Sequence, residues 1–218
     1  YYIHIFSYNS LCTGGPLYLV TTPLTANTTT LTASPYCIPT VSSSTWAAWD
    51  YMSTVSFVGT LNDTSNNSTY STTPLGYQDF TGIVNKPKQA QGEGVNVFVQ
   101  AKNTSFMKAW VDWNKDGIFS DPSERVYDTG NIATYSTTFG FIIPAATALG
   151  DYRVRIRINS KDTKSPYDSN STSTFGPCGN INYGGETEDY LFTVVASCAS
   201  LITAVTDGIS CGPGVVTL

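Results

Sequence analysis

Charge is scarce in this 218-residue chain: 12% of its residues are Asp, Glu, Lys or Arg, and the net balance is −5. No cluster of Lys or Arg is present to neutralise phosphates, which argues against nucleic acid as a partner. Histidine is nearly absent. The one copy, His4, reads as an ordinary strand residue near the start, so no Ser-His-Asp or Cys-His arrangement can be assembled in the main body of the chain. There is no phosphate-cradling glycine loop, and Gly212-Pro213-Gly214 reads as a turn. No apolar run approaches the roughly 18 residues that a membrane-spanning helix needs. Helical periodicity is missing throughout. The five cysteines, Cys12, Cys37, Cys178, Cys198 and Cys211, show no C-x-x-C spacing, which disfavours zinc. Disulfides in an oxidising compartment fit better, and the odd count points to a partner outside this chain. Cys198 and Cys211 pair with each other or beyond the chain, and Cys12 has no evident mate.

What remains is strand-and-turn composition, rich in Tyr (14), Gly (18), Thr and Ser. The expectation is an all-β protein, an antiparallel β-sandwich of jelly-roll or immunoglobulin-like kind, with partial flanking β modules. Residues 1–22 read as the C-terminal hairpin of a preceding β domain, with Tyr2 to Phe6 facing a return strand at Leu17 to Val20. Residues 23–34 read as a Thr-rich linker, 35–197 as the main sandwich, and 198–218 as the start of a following immunoglobulin-like repeat. Both ends read as cut strands, as in a piece of a longer secreted protein. Strand signals recur at Tyr51 to Leu61, Val95 to Val99, Met107 to Trp113, Tyr135 to Ile143 and Leu191 to Val195, with a polar loop at Asn62 to Thr73. The clearest alternation is Tyr152 to Ile158, which predicts a solvated face of Arg153, Arg155 and Arg157 paired with acids.

Against this low charge, one stretch stands out: Asp112-Trp113-Asn114-Lys115-Asp116-Gly117-Ile118-Phe119-Ser120-Asp121-Pro122-Ser123-Glu124. Side-chain oxygens recur at its first, third and fifth positions, with a glycine next. Such spacing lets a sharply turning backbone aim several oxygens at one hard cation, and calcium is the ion it suits. Asp112, Asn114 and Asp116 are the side-chain ligands, Ile118 gives a backbone carbonyl, and Glu124 closes the shell in preference to Asp121. A strand precedes the loop, so the helix-loop-helix hand is absent and only its ligand-presenting turn is shared. The alternative is an Asx-rich turn that satisfies its own amides. Carboxylates crowded into one turn repel unless a cation relieves them, which favours the ion, in a structural role.

Three landmarks occur in order: Tyr77-Gln78-Asp79-Phe80-Thr81, then Trp110 to Phe119, then Tyr183-Gly184-Gly185-Glu186-Thr187-Glu188-Asp189-Tyr190. Together they resemble the GEVED domain, a β-sandwich module of bacterial secreted and surface proteins, over roughly residues 35–197. Gly185 to Asp189 matches that family's run except that Thr187 replaces Val. Cys37 and Cys178 sit where the family carries cysteines, which makes Cys37–Cys178 the preferred disulfide.

Glu186, Glu188 and Asp189 form a second acidic cluster, read as accepting hydrogen bonds from loop amides, pairing with the arginine row, or completing the calcium shell. A glycosidase pair is the weaker reading. Trp46 and Trp49 are the candidate ligand-facing aromatics. The expected function is a non-enzymatic, calcium-stabilised module of a large extracellular or cell-surface protein, acting in adhesion or surface assembly. Its expected partners are neighbouring β domains of the same polypeptide, with surface glycans or copies of itself as further candidates. An accessory, glycan-binding module of an exported hydrolase and a subunit of an extracellular filament are the alternatives.

Overall fold

The structure is a computed structural model. It describes residues 36–42, 48–161, 173–181 and 184–197, together with the backbone of four short strands nearer the N-terminus. The chain divides into two compact units, Tyr1–Ala33 and Ser34–Leu218. Every regular element among the described residues is a strand, and no helix is long and apolar enough to cross a membrane. The protein is all-β.

In the first unit β1 (Tyr2–Ile5) pairs antiparallel with β4 (Leu24–Asn27), and β2 (Tyr8–Asn9) pairs with β3 (Leu17–Tyr18). The expected hairpin thus differs from the observed one, because the first strand takes its partner from inside the Thr-rich stretch read as linker. Threonine is β-branched and fits a strand as readily as an extended spacer.

The second unit holds one nine-stranded mixed sheet. Its axis is β9 (Gly94–Val111), which the sequence suggested as two separate strands. The N-terminal half of β9 lies between β5 (Met52–Val58) and β11 (Thr134–Ile142), and its C-terminal half between β12 (Gly150–Ser160) and β10 (Arg125–Asp128). Both β5 and β11 break register near the middle of β9, where the two halves change neighbours. Beyond β12 lies β13 (Gly185–Val195), and two short strands, β7 (Tyr77–Asp79) and β8 (Lys88–Ala90), pair with it in parallel. Those parallel pairs make the sheet mixed rather than wholly antiparallel. β6 (Thr64–Asn67) flanks β5 inside the stretch expected as a polar loop. A strand so polar is stable there because it is an edge, with Thr54–Asn67 and Ser56–Ser65 side-chain hydrogen bonds on its wet face.

The curled sheet packs around one main core, with a small second cluster at Val41, Ile181 and Leu75. Phe57 of β5 meets Tyr190 of β13, and Phe141 of β11 meets Phe192 of β13. Val95, Val97, Val99, Ile156, Ile158 and Val194 fill the space between. In the first half of β9 burial alternates residue by residue, as for a strand with one solvated face, but from Ser105 to Val111 every residue is buried.

The second face of that half is covered by two irregular segments, 36–42 and 173–181. A disulfide joins them at Cys37 and Cys178, with Cα atoms 6.0 Å apart. Val41 bridges Ile181 in parallel, and Thr40 hydrogen-bonds Asn180. Closing a loop of 141 residues stabilises the fold by about 5 kcal/mol in the chain-entropy model. Cys12, Cys198 and Cys211 lie outside the described residues.

Gly185, which opens β13, adopts φ +152, and a Cβ built on it would stand 2.4 Å from the Ile158 carbonyl oxygen of β12. Backbone cannot yield as a flexible side chain would. Gly185→Ala is therefore expected to destabilise the second unit by about 2–4 kcal/mol, measured as a loss of urea midpoint at unchanged m-value. A shift under about 0.5 kcal/mol, the range of ordinary surface substitutions, would show that the two strands have room to part.

Candidate metal centre

The acidic loop leaves β9 at its buried end. Asp112 is the first residue past the strand, and its backbone amide still bonds to the Arg153 carbonyl of β12, so its position is fixed by the sheet. The turn is made by left-handed backbone at Lys115 (φ 59) and Gly117 (φ 83). Phe119 anchors the far side of the loop at 3% exposure.

Asp112 is fully buried. Its Oδ2 accepts hydrogen bonds from the Gly117 amide at 3.1 Å and from the Tyr36 hydroxyl at 2.5 Å. Its Oδ1 is buried with no hydrogen-bond partner. Asn114 Oδ1 accepts from the Asp116 amide, and Asp116 Oδ1 accepts from the Ile118 amide. Glu124, 4% exposed, accepts from the Trp113 amide with one oxygen and the Ser120 amide with the other, tying the loop's two ends together. Burial pushes the Glu124 carboxyl up, and the nearby Asp112 charge adds to this, while backbone amides oppose both. Asp121 instead turns outward to Arg125, at 3.2 Å. Ile118 is exposed.

The predicted donors therefore share one turn. Among the described residues no group of three or more His, Cys, Asp and Glu side chains is arranged to hold an ion, so a site here would draw on Asn114 and a backbone carbonyl as well. Part of the turn is the self-satisfying Asx arrangement, since Asn114, Asp116 and Glu124 all accept loop amides. Asp112 likewise accepts the Gly117 amide, but through Oδ2 alone, and its Oδ1 has no donor. Two carboxylates, Asp112 and Glu124, are buried close enough to feel each other's charge, and neither is ion-paired among the described residues. A buried carboxylate oxygen with no donor is costly, and a cation is one group that satisfies it. Each oxygen already holding an amide keeps a second lone pair. These residues fit a hard, oxygen-seeking ion such as calcium.

Two of the three arginines are not solvated, and Arg153 is half-buried. Arg155 and Arg157 are 0% and 1% exposed, roofed by segments 36–42 and 173–181. The alternation was legible, but it does not tell whether the second face meets water or the chain's own loops. Arg155 grips Asp189 through Nε and Nη2, both at 2.7 Å, and donates to the Cys37 and Pro177 carbonyls. Arg153 binds Asp189, Asp79 and the Tyr77 hydroxyl. Arg157 has no carboxylate partner among the described residues. It donates to Thr187 and to the Gly176, Cys178 and Gly179 carbonyls, and burial, then the Arg155 charge, pushes its guanidinium down to about 9.

Strand parity sends Glu186 and Glu188 to the face opposite Asp189, and none of the three reaches the loop through a hydrogen bond or ion pair. Glu186 accepts from the Met52 amide and Gln78. Glu188 accepts from the hydroxyls of Ser68 and Tyr190. Burial drives both carboxyls well above the ordinary glutamate range; the Glu188 charge pushes Glu186 up further, while the two hydroxyls partly hold Glu188 down. Sequence reasoning missed Tyr36, Gln78 and Ser68 as partners. Only the resemblance's Tyr77-Gln78-Asp79 landmark hinted at one of them.

Trp49 is 60% exposed, and Trp46 lies outside the described residues. Trp110 is buried behind the sheet against Phe175, while Trp113 packs into the main core with Phe141, Tyr152 and Phe192.

A family model, GEVED domain, matches residues 106–193, from the second half of β9 nearly to the end of β13. Comparison with curated proteins returned no match.

The glutamate pair carries a pH signature. A carboxyl whose folded value is raised binds its proton more tightly in the native state, so its stabilisation is complete below the unfolded value, about 4.3, and is lost as pH rises through the raised folded values. Chemical denaturation should show stability falling from about pH 5 into the mildly alkaline range. Glu188→Gln, an uncharged isostere whose amide can still meet both hydroxyls, should flatten that slope. An unchanged slope would mean that the pair is not protonated in the native state.

Proposed function

We propose that this chain, which carries a GEVED domain over residues 106–193, is a non-enzymatic, calcium-stabilised β module of a multidomain extracellular protein, acting in adhesion or in the assembly of a surface structure. The observation that carries the calcium reading is the unpartnered, buried Oδ1 of Asp112 beside the equally buried Glu124. Asp112, Asn114, Asp116, Glu124 and the Ile118 carbonyl would hold the ion, with Asp121 committed to Arg125. The ion would replace the missing counter-charge and stiffen the turn leaving β9.

An extracellular setting is supported by the Cys37–Cys178 disulfide, which persists in oxidising compartments. A non-catalytic role is supported by where the acids stand. Glu186 and Glu188 are 1% and 0% exposed and saturated by amide and hydroxyl donors, so no substrate reaches them. The domain boundaries read from the sequence, a main module over 35–197 between parts of neighbouring β modules, complete this proposal.

A second reading, an accessory module that binds glycan, rests on Trp49, a large aromatic ring presented to solvent. Titration with oligosaccharides and Trp49→Ala separates it from the first.

Calcium at about 100 times its dissociation constant should stabilise the protein by about 2.7 kcal/mol, raising the melting temperature by roughly 5–10 °C. Asp112→Asn and Asp116→Ala should abolish the rise, and Asp121→Asn should preserve it. If excess chelator leaves the melting temperature of the wild-type chain unchanged, the loop is an Asx turn and not an ion site.

A further inference from the structure

We infer that Tyr36 is a positioning residue for the ion loop, and that the Cys37–Cys178 disulfide sets the loop's calcium affinity through it. The inference rests on the calcium reading of Asp112 and goes beyond it by naming what controls that ligand.

Tyr36 is 76 positions away from Asp112 in sequence, yet its hydroxyl donates to Asp112 Oδ2 at 2.5 Å. This contact comes from outside the loop and falls on the carboxylate whose other oxygen is unpartnered. With Oδ2 held by Tyr36 and by the Gly117 amide, the carboxylate's rotation is fixed and Oδ1 is the oxygen left without a donor. Partners behind a metal-binding carboxylate fix its orientation, and their loss typically lowers affinity about 10–100-fold.

Tyr36 is itself held from three sides. Its ring lies 5.3 Å from that of Phe119, the loop's own anchor, and the Arg153 guanidinium stacks 4.4 Å from its centre. The next residue is the disulfide's Cys37, whose carbonyl accepts from Arg155 and whose sulfur lies 2.8 Å from the same guanidinium. Segment 36–42 is otherwise fastened to its neighbours by a few hydrogen bonds, through Thr40, Val41 and Ser42. Opening the disulfide removes the covalent tie one residue from the tyrosine, so the hydroxyl is held less firmly against Asp112. By linkage, a bound ion that favours the ordered strap favours the closed disulfide by the same factor.

Isothermal titration with calcium on the whole 218-residue chain tests this. Four samples are compared: wild type oxidised, wild type reduced with dithiothreitol, Tyr36→Phe oxidised and Tyr36→Phe reduced. Tyr36→Phe keeps the ring contacts and deletes only the hydroxyl. It should weaken calcium about 10–100-fold, while the melting temperature in chelator changes little. Reduction should weaken wild type by a similar factor and Tyr36→Phe by much less, because the contact that reduction loosens is already gone.

Absence of calcium binding by the oxidised wild type overturns the ion reading and this inference together. Binding by wild type with an equal dissociation constant for Tyr36→Phe overturns this inference alone. A lower melting temperature in chelator with unchanged affinity assigns Tyr36 a structural role only, which also overturns it. Should reduction unfold the chain, Cys37→Ala/Cys178→Ala in the Tyr36→Phe and wild-type backgrounds supplies the same comparison.

Discussion

The buried ion pair between Arg155 and Asp189 is the contact on which the other parts depend. Both side chains are fully buried, and the guanidinium presents Nε and Nη2 in the fork geometry that suits a carboxylate. Such a pair is weak evidence of net stability, because desolvating both charges offsets most of their attraction. Its value is placement. Removing either partner would strand a buried charge, so the elements that surround the pair have one arrangement. The other donors of Arg155 reach Cys37 and Pro177, which sets segments 36–42 and 173–181 where the disulfide can close.

From that pair the chain's separated motifs come into contact. β7 runs parallel to β13 in register, with Tyr77 opposite Thr187, Gln78 opposite Glu188 and Asp79 opposite Asp189. Tyr77 and Arg153 then share Asp189, and Gln78 binds Glu186. The three landmarks that suggested the family are thus one hydrogen-bonded assembly. The Gly-Glu-Thr-Glu-Asp run is a strand whose acids serve two faces: Glu186 and Glu188 toward the β5–β6 side, and Asp189 toward the arginines. Gly185 is glycine because β12 passes too close for a Cβ.

The acidic loop hangs from the same framework. Asp112 follows the last residue of β9, is tied by its amide to β12, and is met by Tyr36 from the strap. Acidic loop, disulfide and arginine row are therefore neighbours rather than three separate devices. This gives the calcium reading a physical setting: a buried like-charge pair at the point where the longest strand ends and the covering segment crosses.

Much of this was legible in the sequence. Composition and the lack of helical periodicity gave an all-β chain, the 1-3-5 oxygen spacing with Gly117 located the loop, and the cysteine positions of the resembled family named Cys37 and Cys178. Local spacing carries such information because a turn's ligands lie within a dozen residues and a strand's faces alternate at every step. Other features needed long-range contacts. Polar Thr64–Asn67 is a strand only because β5 pairs with it, and Val95–Val99 and Met107–Val111 are one strand because different neighbours hold its halves. The arginine row alternates as a solvated face would, yet a disulfide-joined roof covers it, and period alone does not tell water from chain. The sequence determined the local chemistry, which residues turn, alternate and carry charge. The tertiary structure decided which charges are buried and with whom, because the cost of burying a carboxylate or guanidinium depends on partners that lie dozens of positions away.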